Sequence, residues 1–166
     1  MRLPLLLLAT LLPVAAHAAE TPELQRAVGA PQAVGAVHTL RQIPEACARL
    51  EGAFTGQAEQ PYRFAAVRTS EQCQPRARLV DPAKAQPDAA KGWKLNDVIR
   101  VPNAACPTQQ AVVRVWRLPA ASAAERDGQG QSRIYLEDAK RQAAAGTIAA
   151  IPMFAAQLQM EGAACR

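Results

Sequence analysis

Residues 93–118 read WKLNDVIRVPNAACPTQQAVVRVWRL. From Trp93, every second residue gives Trp93, Leu95, Asp97, Ile99 and Val101, with Lys94, Asn96 and Arg100 between them. The residues from Pro102 to Gln109 carry two prolines and Asn103, and a second alternating run follows in Val112, Arg114, Trp116 and Leu118. Period-two alternation broken by turn residues is the pattern of two half-buried antiparallel strands. Folding the runs symmetrically about the loop sets Val101 opposite Gln110, Ile99 opposite Val112, Leu95 opposite Trp116 and Trp93 opposite Leu118. Asp97 then meets Arg114, and a structural ion pair is expected, because opposite charges attract across strands and an unpaired charge on an apolar face is costly.

Working outward, the same alternation recurs more weakly. Val34 to Ile43 predicts a first strand that Pro44 ends, Ala48 to Thr55 a second, and Tyr62 to Thr69 its hairpin partner beyond a loop opened by Gly56 and closed by Pro61. Arg76 to Asp81 admits a short strand, and Pro82 to Gly92 is a surface connection. Ala19 to about residue 33 reads as an irregular lead-in, and Pro119 to Gln131 as a long exposed loop. Ser132 is placed to cap a helix over Arg133–Ala145, with Gly146 as its stop. Phe154 to Gly162 alternates again and predicts a final strand. The fold class expected is α+β: a β-rich antiparallel arrangement of two main hairpins and a C-terminal strand, with one late helix.

The amino terminus sets the compartment. Met1-Arg2, an apolar run from Leu3 to Val14, and Ala16-His17-Ala18 have the form of a secretory leader cut after Ala18. The run is too short to span a membrane, no later segment approaches that length, and no transmembrane anchor is expected. The organisation read is residues 1–18 as signal peptide and 19–166 as one exported domain, periplasmic or extracellular. The alanine- and arginine-rich composition is that of a GC-rich bacterial genome. Without Arg2 the chain carries 18 Lys and Arg against 14 Asp and Glu, a net +4. That excess is too mild and too scattered for a nucleic-acid binder.

Cys47, Cys73, Cys106 and Cys165 all lie in the exported part, and an even count in an oxidising compartment reads as two disulfides. No two lie closer than 26 positions, which argues against a metal site or a redox dithiol. Cys47 and Cys73 bracket the open end of one hairpin and are expected to pair. Cys106 with Cys165 follows by elimination.

Chemistry-bearing residues are few. Metalloprotease, P-loop, dinucleotide and nucleophile-elbow motifs are absent, and no cofactor or metal is expected. His38 is the one histidine beyond the leader, and Ser70, Ser122 and Ser132 are the only serines. A lone histidine among Ala36 and Leu40 reads as a packed or edge residue rather than a catalytic base. Two carboxylates would suffice for glycan cleavage, which keeps a small hydrolase of envelope polymer, using Asp97, Glu51 or Glu161, as the alternative. The inventory leans away from an enzyme. It favours an exported binding module, of inhibitor, immunity or envelope-associated type. Its partner would be another envelope or secreted protein or an anionic envelope component, met through Arg63, Arg68, Arg76 and Arg78.

Overall fold

The computed structural model describes residues 20–120, 141, 144–145 and 151–165. The expected leader and most of the expected 119–131 loop and 133–145 helix lie outside the described residues. Of that helix only Arg141, Ala144 and Ala145 are described, and the Ala145 amide donates to the Arg141 carbonyl as an α-helical turn requires.

The described chain is mostly strand, arranged in two sheets. The first holds β1 (His38–Ile43), β2 (Ala48–Phe54) and β3 (Tyr62–Arg68) in the order β1-β2-β3, antiparallel throughout. The second holds β4 (Arg78–Val80), β5 (Lys94–Asn103), β6 (Cys106–Leu118) and β7 (Met153–Glu161) in the order β4-β7-β6-β5. Its long strands are antiparallel, and β4 joins β7 in parallel over Met153 to Ala155. The two sheets share one core. Leu40, Ile43, Leu50, Phe54 and Tyr62 from the first interlock with Ile99, Val101, Ala111, Val113, Val115, Phe154 and Ala156 from the second. The connection from Pro82 to Gly92 contains two single helical turns, α1 (Pro82–Ala85) and a 3-10 turn at Ala89–Lys91. Asp81 and Asp88 cap them through their side chains.

The long hairpin is tighter and differently registered than its sequence implies. In place of an eight-residue loop, a two-residue turn at Ala104 and Ala105 joins β5 to β6. The Asn103 side chain accepts from the Ala105 amide there. Leu95 does face Trp116, as expected. The ladder then shifts: Asp97 faces Val115, Ile99 faces Val113 and Val101 faces Ala111. Asn96 is the extra residue of a β-bulge, and a bulge inverts the faces on either side of it. Leu95 packs outward with Val98, Val112 and Trp116, while Asp97, Ile99 and Val101 turn into the core between the sheets. The face expected to be apolar, carrying Val112, Arg114 and Trp116, is therefore the outer one.

The Asp97–Arg114 pair is overturned by the same shift. Arg114 stands opposite Val98 and pairs on the outer face with Glu161, while Asp97 is fully buried and pairs elsewhere. The lead-in is also more ordered than expected. Residues 20–36 form a strap along the outer edge of β5. Glu23 and Leu24 amides donate to Leu95 and Asn96, Gly29 to Arg100, and Gln32 to Pro102. Gly35 then donates to Phe54 at the end of β2, so the strap closes one flank of the two-sheet stack.

Both disulfides pair as expected. Cys47 joins Cys73 with Cα atoms 5.8 Å apart, and Cys106 joins Cys165 at 5.6 Å. The first ties the β1–β2 corner, where Cys47 takes a left-handed φ of 52°, to the loop before β4. The second ties the hairpin tip to the end of the chain after β7.

Candidate functional site

Asp97 was the leading acid in the sequence. Its carboxylate accepts from Arg26 Nε at 3.0 and 2.8 Å and from Arg41 Nη1 at 3.2 Å. The two arginines come from the strap and from β1, so one buried carboxylate joins three elements. Arg41 is only 11% exposed. Its burial pulls the guanidinium pKa down, and the neighbouring Asp97 charge opposes that. Asn96 donates to Glu23 at 2.7 Å, and its own buried Oδ1 has no partner among the described residues. Glu23 is held below its ordinary pKa chiefly by its hydrogen bond from Arg117, at 2.6 Å. The group is built to fasten the strap: every charge in it faces an opposite one.

The other two candidate acids are held apart from Asp97. Glu51 on β2 accepts from Arg49 at 2.7 Å, and Glu161 on β7 accepts from Arg114 at 3.4 Å. Each of the three acids is thus engaged by a different arginine or arginine pair among the described residues. His38 is half-buried on β1, with Nε2 at 2.7 Å from the Tyr62 hydroxyl and Nδ1 at 3.1 Å from the Ala36 carbonyl. Burial raises the Tyr62 pKa, and its ring lies edge-on to Phe54 over Gly52, where a Cβ would collide with it. No serine or carboxylate joins this pair among the described residues.

The opposite flank of the stack is different in kind. There β3 and β4 run at the edges of their sheets, and no strand among the described residues covers either. Two hollows follow one another along β3. One of about 370 Å³ is lined by Ala66, Val67, Arg68, Arg78, Leu79 and Val80 among others. The next, of about 680 Å³, is lined by Phe64, Pro82, Ala83, Arg114 and Ala156 to Gln159. Compared with known protein families, curated proteins and solved structures, the chain matches none.

Of the four arginines expected to meet a partner, the structure brings Arg68 and Arg78 to one hollow. Arg63 is exposed on the outer face of β3, one residue from Phe64, and Arg76 is exposed two residues before Arg78. Arg63, Arg76 and Arg78 make no ion pair or side-chain hydrogen bond among the described residues. Arg68 is partly committed, donating to the carbonyls of Ser70, Glu71 and Cys73 at 2.9, 3.0 and 3.1 Å. Those carbonyls leave its positive charge uncompensated. Among the described residues, neither hollow is lined by a carboxylate. Sequence reasoning missed Arg114 as a lining residue, because it assigned that side chain to Asp97. It also missed Arg26, Arg41 and Glu23, whose partners lie 56 to 94 positions away.

Proposed function

We propose that this chain is an exported, non-catalytic binding module that takes an anionic partner along the open flank between β3 and β4. The observation that carries the reading is an asymmetry of charge. On the strap side Arg26, Arg41 and Arg117 each face an acid, whereas Arg63, Arg76 and Arg78 on the open flank make no ion pair among the described residues. Unmatched cations repel one another, and beside apolar hollows they favour association with an oppositely charged surface. Two disulfides are compatible with an oxidising compartment, and the leader-like first 18 residues favour export. No helix among the described residues is long and apolar enough to cross a membrane. The three candidate acids being separately engaged favours binding over carboxylate hydrolysis.

The test is calorimetric titration with poly-L-glutamate, a flexible polyanion. Binding is expected, weakening at least about tenfold between about 50 mM and about 300 mM salt as exposed charges are screened. Arg63→Glu with Arg78→Glu is expected to abolish it while the circular dichroism spectrum stays unchanged. Undiminished binding by that double variant would refute this location for the site.

A further inference from the structure

The edge of β3 carries more information than its charge. The Thr69 amide donates to Cys47 and the Thr55 amide to Pro61, at the two ends of the β2–β3 ladder. With an unbroken register between them, Arg63, Ala65 and Val67 hold the ladder to β2. In an antiparallel pair, alternate residues turn their backbone groups the other way. The N–H and C=O groups of Tyr62, Phe64, Ala66 and Arg68 therefore point to the open edge, into the space beside the two hollows. On the far side of that space β7 is similar. Its ladder to β4 ends at Ala155, and among the described residues no strand pairs with its outer edge from there to Glu161.

Resting on the binding reading above, we infer that the anionic partner is an extended polypeptide segment of alternating acidic and apolar residues, which adds as a strand to the free edge of β3. An edge strand offers donors and acceptors in alternation. A lipid phosphate or a sulfated glycan would satisfy only the donors, whereas another backbone satisfies both. The inward side of such a strand would cover Phe64, Ala66 and Leu158. Its acids, carried on the outward side by the alternation, would meet Arg63 on the outer face of β3, and Arg68 and Arg78 border the hollow at one end of the strand. A second copy is a poor occupant. Pairing two β3 edges would crowd Arg63 and Arg68 of both copies onto one short ladder, and like charges there repel. The opposite flank shows that this stack accepts an added segment, since the strap already bonds to β5 through its backbone.

The probe is a synthetic peptide as long as β3 that alternates glutamate and valine. Its counterpart has the same sequence with alternate backbone nitrogens methylated, so charge is kept and edge bonding is lost. The alternating peptide is expected to bind and to slow exchange of the Phe64 and Ala66 amides at least about tenfold. The methylated peptide is expected to bind at least about tenfold more weakly. Ala66→Pro removes a donor that the β2 ladder does not use, and proline is tolerated on edge strands. That variant is expected to keep its fold and lose the alternating peptide. If both peptides bind equally, the strand inference is overturned while the charge reading stands. If vesicles of phosphatidylglycerol bind and neither peptide does, the partner is a lipid surface and the inference fails. Protection of the same amides in a peptide-free dimer, seen by sedimentation, would make a second copy the occupant. Failure of both peptides and of poly-L-glutamate removes both readings.

Discussion

Replacing Asp97 should be among the most damaging single changes available to this protein, and its cost can be divided between two partners. The carboxylate is fully buried and neutralises Arg41, which is 11% exposed, and Arg26, which is 42% exposed. Asp97→Asn leaves Arg41 buried with no counter-charge, which costs about 3–5 kcal/mol when one member of a buried pair is removed. Arg26→Ala removes a half-exposed partner and should cost only about 1 kcal/mol, because water screens that side of the pair. Urea unfolding with disulfides intact, followed by tryptophan fluorescence, reads these values. With a slope of about 2 kcal/mol per molar, Asp97→Asn should lower the midpoint by about 2 M and Arg26→Ala by about 0.5 M. Replacing Asp97 and Arg41 together by leucine and methionine should recover most of the loss, since an apolar pair of similar volume can match a buried ion pair. A double-mutant cycle should give strong coupling for Asp97 with Arg41 and almost none for Asp97 with Arg114. If Asp97→Asn and Arg26→Ala cost the same small amount, or if Arg114 couples and Arg41 does not, the bulge-based account is wrong.

Three further outcomes are expected. Gly162→Ala should lower the unfolding midpoint by the equivalent of more than about 1 kcal/mol, because φ is 86° there and a Cβ would strike the Thr108 carbonyl; Gly35→Ala, at φ 80° with open space, should cost less. Replacing Cys106 and Cys165 by serine should cost about 4 kcal/mol, and Cys47 with Cys73 about 3.5 kcal/mol, in the chain-entropy account of loops 59 and 26 residues apart; equal stability of either reduced variant and the parent would contradict it. Glu23 has a depressed pKa in the folded state, so its contribution is present above its ordinary value of 4.5 and is lost as pH falls through the lower folded value. Protection of the Glu23 and Leu24 amides should accordingly fall in that acid range before the core opens, by well under about 1 kcal/mol because Glu23 is a third exposed, and Glu23→Gln should remove the effect.

What the sequence disclosed and withheld follows from where each signal resides. β2 and β3 were legible because one face of each packs toward the core and the other is more exposed, and that difference imprints alternation. The disulfides were legible because Cys47 and Cys73 flank adjacent strand ends. The bulge at Asn96 left no such mark. One added residue has no composition of its own, and Val112, Val113 and Val115 make both faces of β6 look apolar. The symmetric register was correct at Leu95 and failed one step later, sending Asp97 to the wrong arginine. The strap was invisible for another reason: it is held by backbone bonds and a few ion pairs, so Leu24, Val28 and Val34 remain exposed and no periodicity appears. At the candidate site, the arginines were visible as a scattered set. Which of them share a hollow depends on two sheet edges meeting in space, and that is a property of topology alone.

The strap also fixes an order of events in folding. The β5–β6 hairpin closes through a two-residue turn, so its contacts are local and form early. Arg26 must wait for Asp97, 71 positions later, and Glu23 for Arg117, 94 positions later. Neither disulfide reaches the strap, so no covalent link shortens that wait. During it Arg41 and Asp97 can already meet, because β1 and β5 belong to the core that both sheets build. The strap thus arrives last on a finished surface and leaves first, at a free energy below that of global unfolding. A protease acting on native protein should clip residues 20–36 while the disulfide-linked body stays intact, and the rate of clipping measures how often that flank opens.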